Sequence, residues 1–299
     1  MELHLDELTK VYTRYLRGMR VIARVRPIRL AYTFGHFWTK LFSPRLTEMQ
    51  QVMDKMNGSE RYLPFTKTRA WADYLWHASA NTLNTYMYSA MDKRWLGSNV
   101  RIIGQEHIQT ASESGAGTLI LTAHQHSMMM LAVTAGLFGK QMHPILMNPE
   151  LTVPDFLTDY ADKAVQTSSA HYNGGSYILV DYHSTYVRPV YRALQSGGVV
   201  LSANDFPESL APKRRKILPF LGRKISCPTG SVEIAMQCHA RIVPAFIYKT
   251  DGVLVAHFYP PLSGTLDEIM LSYAGLLEQC VQKDPGAWEG WKWPDIFEN

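Results

Sequence analysis

Two histidines, His124 and His126, follow shortly after an apolar run, Thr118-Leu-Ile-Leu-Thr122. Imidazole titrates near neutral pH, so a histidine presented at the end of a buried strand is a candidate general base. A carboxylate, Asp205, follows a second apolar run, Val199-Val-Leu-Ser-Ala203, in the same manner. Such an acid either serves a base or caps its own loop, Asp205-Phe-Pro-Glu208. Pro228-Thr229-Gly230 reads as a turn that opens a helix, whose N–H groups either cap the helix or hold a phosphate or an oxyanion. Lys213, Arg214, Arg215 and Lys216, with Arg223 and Lys224, form the densest basic cluster. It either steers an acidic partner or a phosphate-bearing head group, or is a solvated loop. The cluster is short and no nucleic-acid-binding motif accompanies it, which argues against nucleic acid.

The elements that must position these groups alternate in type. Strands are expected at Thr118–Thr122, Met142–Met147, Tyr177–Val180, Val199–Ala203, Arg241–Tyr248 and Gly252–Tyr259. Between and after them the spacing predicts helices over Met128–Phe138, Asp155–Ala164, Val187–Gln195, Gly230–Cys238 and Leu266–Val281. The result is an α/β fold, a buried mixed sheet flanked by helices. Ligand sites in such sheets lie at the carboxyl ends of strands. His124 and Asn204-Asp205 therefore belong to one region of space. Met128-Met129-Met130 cannot all face one way from a helix, so most of them are expected in the core.

Residues 1–95 read as helices, broken at Pro27, Ser43-Pro44 and Asn57-Gly58, with the last helix spanning Thr68 to Met91. We divide the chain into an N-terminal helical segment, 1–65, and a second unit, 66–299. No acidic residue occurs from Lys10 to Arg45, where Arg14, Arg17, Arg20, Arg24, Arg26 and Arg29 alternate with aromatic residues. That composition suits an anionic membrane surface, or else a solvated basic helix packed through its rings. Charged residues are 19% of the 299 and hydrophobic residues 46%, which excludes a largely disordered chain. No apolar run is long enough for a transmembrane helix, and the acidic start lacks the form of a signal peptide. The expectation is a cytoplasmic protein, peripheral on the inner membrane. Cys227, Cys238 and Cys280 have neither disulfide-framework nor zinc spacing. No metal site is expected.

Three segments in order resemble the lipid A late acyltransferases of the lysophospholipid acyltransferase superfamily. They are Gly104-Gln-Glu-His-Ile108 with Gly117-Thr-Leu-Ile-Leu-Thr-Ala-His124; Gly197-Gly-Val-Val-Leu-Ser-Ala-Asn-Asp205; and Leu218-Pro-Phe-Leu-Gly-Arg223 with Pro228-Thr-Gly230 and Ile242-Val-Pro-Ala-Phe246. The resemblance covers roughly residues 65–295. It implies a glycerol-phosphate acyltransferase-like fold and acyl transfer from an acyl carrier protein phosphopantetheine thioester, or acyl-CoA, to a hydroxyl of a membrane lipid or glycolipid. It implies no bound cofactor. It makes His124 the base, with Asp205 matching an acid of the second segment and Lys213, Arg214, Arg215, Arg223, Pro228, Thr229 and Gly230 as candidates for substrate binding.

In that family a carboxylate follows the histidine five positions on, and here Met129 stands there. Methionine can neither carry the charge nor accept a strong hydrogen bond. Three replacements are open: Asp205 from its own strand end, Glu233 from its helix, or His126 paired with His124. Two further readings follow from the altered motif. One is a glycyl- or aminoacyltransferase branch that also draws on a carrier protein. The other is an inactive lipid- or carrier-binding relative.

Overall fold

The computed structural model describes residues 5–26, 28–42, 49–57, 59, 63, 66–113, 117–125, 127–148, 154–180, 187–208, 213–293 and 295–298. His126 lies outside the described residues.

Seven strands form one sheet: β1 (Val100–Ile103), β2 (Thr118–Thr122), β3 (Met142–Met147), β4 (Ile178–Val180), β5 (Val199–Ala203), β8 (Arg241–Thr250) and β9 (Val253–Phe258), in the order β1-β9-β8-β2-β5-β3-β4. From β8 to β4 every neighbour is parallel, while β9 is antiparallel to β8 and carries β1 parallel to itself. The sheet is thus mixed, with a parallel centre. Every residue of β2 and β5 is buried. Parallel strands covered on both faces read as unbroken apolar runs, as these two do.

The two faces are packed differently. Leu119, Leu121 and Val200 face the core shared with α9 (Val187–Gln195), α10 (Gly230–Gln237) and α11 (Leu266–Lys283). Ile120, Val199 and Leu201 face the core shared with α7 (Met129–Leu137) and with Leu83, Met87 and Tyr88. The period-two alternation of side chains produces this division. A capping box, Thr265 with Glu268, starts α11.

The N-terminal helices are α1 (Leu5–Ile22), α2 (Ile28–Phe42), α3 (Met49–Asn57) and α4 (Lys67–Met87). Tyr15 and Met19 form a buried stripe of α1 at helical spacing, continued by Ala23 just past its end. The Tyr15 hydroxyl reaches Thr39 Oγ1 at 3.1 Å and Thr82 Oγ1 at 3.4 Å, and Tyr32 donates to Asn84 Oδ1 at 2.8 Å. These bonds tie α1 and α2 to α4, which in turn packs on the sheet.

Several expectations needed correction. The helix expected to run to Met91 stops at Met87 and tightens into a 3₁₀ turn, Tyr88–Ala90. The helix expected over Asp155–Ala164 begins as a 3₁₀ turn and continues as α8 (Thr158–Ser169). Two short helices, α5 (Lys93–Asn99) and α6 (Glu106–Glu113), and strand β1 were not anticipated. Nor was a second sheet, in which β6 (Arg215–Phe220) and β7 (Arg223–Pro228) make an antiparallel hairpin joined by β10 (Phe297–Glu298). Four of the six residues of the basic cluster, Arg215, Lys216, Arg223 and Lys224, are therefore strand residues. The cluster's charges lie on and beside a hairpin instead of in a loop.

His36 on α2 is half-buried, and burial first, then Lys40 and Lys249, push its pKa down to about 4 against the opposing pull of Asp73. A histidine held below its unfolded value of about 6.5 favours the fold above that value and loses this contribution as pH falls towards the folded one. Urea midpoints measured from pH 7 to pH 4.5 should fall for the wild type. His36→Gln should fall less, and equal slopes would remove His36 from the account.

Candidate active site

Backbone register brings the site together. Thr122 lies opposite Ala203 in the parallel pair, so both chains leave the sheet at the same level. Asn204 N–H extends the ladder to Thr122 O at 2.9 Å. One residue further, the Asp205 carboxylate meets the loop after β2. Its Oδ1 accepts from the His124 backbone N–H at 2.8 Å and from His124 Nδ1 at 2.7 Å. Its Oδ2 accepts from Trp288 Nε1 at 2.7 Å. A carboxylate only accepts, so Nδ1 is the donor in this contact, and in the neutral ring that leaves the lone pair on Nε2.

Asp205 is 0% exposed and the His124 side chain 28%. The charge is thus wholly withdrawn from water, while the imidazole it holds reaches the surface. Burial pushes the Cys227 thiol up, with the Asp205 charge adding to it, and the same two causes hold Tyr273 well above its usual value. Both groups therefore stay neutral beside the carboxylate. Tyr273 donates to Thr122 O at 2.8 Å, which fixes the end of β2.

The C-terminal tail closes over this arrangement. Glu289 N–H donates to His124 O at 2.7 Å, and Gln125 forms an isolated bridge with Trp288. Gln125 Oε1 accepts from Ile247 N–H at 2.9 Å, tying the His124 loop to β8. The Trp293 ring meets the His124 ring edge-on at 4.9 Å, and Phe206 does so at 5.7 Å. Gly290 is required here, because a Cβ would lie 2.1 Å from the Trp288 ring. Trp288 and Trp291 are fully buried, so the tail tryptophans close the core, and Trp293 alone of the three borders the imidazole.

His124 and Asp205, at the carboxyl ends of adjacent parallel strands, both lie within the stretch matched in the sequence comparison. The family model for bacterial lipid A biosynthesis acyltransferases matches residues 75–293. The chain belongs to that family. No curated protein matches it. The acyltransferase match takes in β2, β5, the β6–β7 hairpin and the tail to Trp293.

The other candidates of this acyltransferase sort by position. Met129 opens α7 and packs against the core face that holds Ile120 and Met130. Glu233 is turned towards Thr229 Oγ1, at 2.5 Å, and the Arg214 guanidinium, at 3.0 Å. Of the described replacements for the missing acid, only Asp205 is bonded to His124. Thr229 donates through N–H and Oγ1 to Arg214 O, at 2.7 and 2.8 Å, and Asn204 Nδ2 donates to Pro228 O at 2.7 Å. Pro228 and Thr229 thus join the hairpin to β5 just before α10 begins at Gly230. Arg215 donates to Phe206 O at 2.8 Å and to Ser226 Oγ at 2.9 Å, holding the Asp205 loop on the hairpin. Arg223 lies over the Phe297 ring at 3.9 Å, and Lys216 pairs with Asp267. Lys213 is exposed.

Sequence reasoning missed the bond from Trp288 to Asp205 and the packing of Phe206 on His124. The signal for Phe206 was its position next to Asp205. Trp288 gave none, being 83 residues from the acid it serves.

Trp288→Phe keeps the ring and removes the donor to a buried carboxylate oxygen. It should cost about 1–3 kcal/mol in denaturant unfolding, the range for leaving a buried acceptor unpaired. An unchanged midpoint would show that the Trp288–Asp205 bond carries no net stability.

Proposed function

We propose that the chain moves an acyl group from an acyl carrier protein or coenzyme A thioester to a hydroxyl of a membrane lipid or similar amphiphile, with His124 as general base. The observation that carries this reading is the His124–Asp205 pair, in which a buried carboxylate holds Nδ1 of a ring that reaches the surface. A lipid hydroxyl is a poor nucleophile near neutral pH. Nε2 takes its proton as the oxygen attacks the thioester carbonyl, and the carbonyl electrons move to oxygen. The tetrahedral intermediate collapses, the carbon–sulfur bond breaks, and the imidazolium returns its proton to the departing thiolate. Asp205 fixes the tautomer and stabilises the imidazolium, the part an acid plays in a catalytic triad.

A carrier-protein donor is supported by the outer side of the β6–β7 hairpin. Lys213 and Lys224 are exposed there, beside the exposed side chains of Ile217 and Pro219. Basic residues around a small apolar patch suit an acidic protein partner by steering and by contact. No helix among the described residues is long and apolar enough to cross a membrane. A peripheral protein on the inner membrane, working on a lipid presented from the bilayer, fits that observation. An inactive binding relative has no use for a buried charge bonded to a tautomer-fixed histidine.

The test supplies fatty-acyl and glycyl carrier protein, and the corresponding coenzyme A esters, with a membrane-lipid extract, and follows transfer by mass spectrometry. His124→Ala and Asp205→Asn should each reduce transfer about 10²–10⁴-fold, the range for losing a general base or its orienting acid. Full activity in His124→Ala, or no transfer from any donor by the folded wild type, would overturn the reading. A glycyl donor used in preference to fatty acyl would select the aminoacyl branch.

A further inference from the structure

Away from His124, a groove of ≈ 760 Å³ runs along the outer side of α1, lined by Thr9, Lys10, Thr13, Arg14, Arg17, Gly18, Val21, Ile22 and, from α2, Trp38. Its two ends differ in chemistry. Lys10, Arg14 and Arg17, with the Thr9 and Thr13 hydroxyls, occupy the N-terminal end. Val21, Ile22 and the Trp38 ring occupy the other. Lys10, Arg14, Arg17 and Val21 follow helical spacing on the side of α1 opposite Tyr15, Met19 and Ala23, so they point away from the core. Gly18 admits the ring that forms the groove wall, since a Cβ there would lie 2.3 Å from Trp38.

The groove continues onto a second surface. Leu30, Phe34, Phe37 and Leu41 recur at three- and four-residue spacing on α2 and are 44%, 50%, 63% and 54% exposed. They adjoin Trp38 on the helix surface, and Val21, 65% exposed, lines the groove together with Trp38. Large apolar side chains stand out into solvent in one row, beside a row of cations with no acidic residue from Lys10 to Arg45. Water alone does not stabilise that pattern, whereas an interface with apolar chains on one side and anionic groups on the other does.

We infer that the α1–α2 face is a docking surface for an anionic phospholipid bilayer, with a lipid phosphate held by Lys10, Arg14 and Arg17 and its acyl chain along Val21, Ile22 and Trp38. The Leu30–Leu41 row enters the acyl boundary beside it. Charge complementarity selects the occupant: three cations at one end of an otherwise apolar groove match one phosphate-bearing head and its chain. The inference rests on the lipid-acceptor reading only in that both place the chain at a bilayer. Vesicle binding is measured without an acyl donor, so loss of one claim leaves the other standing.

The experiment uses the full chain with vesicles of phosphatidylcholine alone and of phosphatidylcholine with phosphatidylglycerol, read by co-sedimentation. Binding should require the anionic lipid. Arg14→Glu with Arg17→Glu should weaken it about 30-fold or more, taking about fivefold for each basic side chain near an anionic surface. Lys93→Glu with Arg94→Glu on α5, exposed but outside the groove, should leave it unchanged. Phe34→Ser with Phe37→Ser should also weaken binding, with circular dichroism confirming that each variant is folded. In vesicles with brominated acyl chains, the wild type should lose a tryptophan emission component that Trp38→Phe lacks. Equal binding to uncharged vesicles, equal losses from the α5 and groove reversals, or identical quenching in Trp38→Phe would overturn the inference.

Discussion

Taking the Asp205 carboxylate out of water costs several kcal/mol unless its oxygens are well bonded. Three donors meet that requirement: the His124 backbone N–H, the His124 ring and the Trp288 indole. They come from the loop after β2 and from the C-terminal tail, while the acid itself follows β5. One buried charge therefore holds the two central strand ends and the tail in a common geometry. Most of what surrounds the site acts to keep that geometry. Tyr273 fixes Thr122, Arg215 fixes the loop of Phe206, and Gly290 lets the indole approach.

The same constraint explains how the family's usual short-range pair can be absent. A carboxylate five positions after the histidine would sit on α7, whose first turn here is methionine and belongs to the core. Asp205, on the neighbouring strand end, supplies a carboxylate to His124 Nδ1 from a different part of the chain. A strand end is a firm support for such a group, because parallel register fixes its height to a fraction of a residue.

The sheet was largely legible because its central strands are continuous apolar runs, and the limits of β2, β3 and β5 agree with the sequence expectation. Asp205 and His124 could be assigned to one region from the strand-end rule alone. Their hydrogen bond could not be, since it joins residues 81 apart and depends on Thr122 standing opposite Ala203. The β6–β7 hairpin was hidden for a different reason. Lys213-Arg-Arg-Lys216 has the composition of a solvated turn, yet Arg215 and Lys216 are strand residues whose charges are absorbed by Phe206 O, Ser226 and Asp267. Local composition reports solvation preference and is blind to such partners. The short strand β1 escaped notice because it is an edge strand of only four residues with alternating exposure.

The central claim is that Asp205 is the acid that sets the state of His124. Nitrogen-15 NMR of the His124 ring, in the wild type and in Asp205→Asn, measures this directly. The account predicts a neutral imidazole protonated at Nδ1 in the wild type, with a strongly hydrogen-bonded proton signal that is lost in Asp205→Asn. A ring protonated at Nε2, or a spectrum unchanged by the substitution, would contradict it.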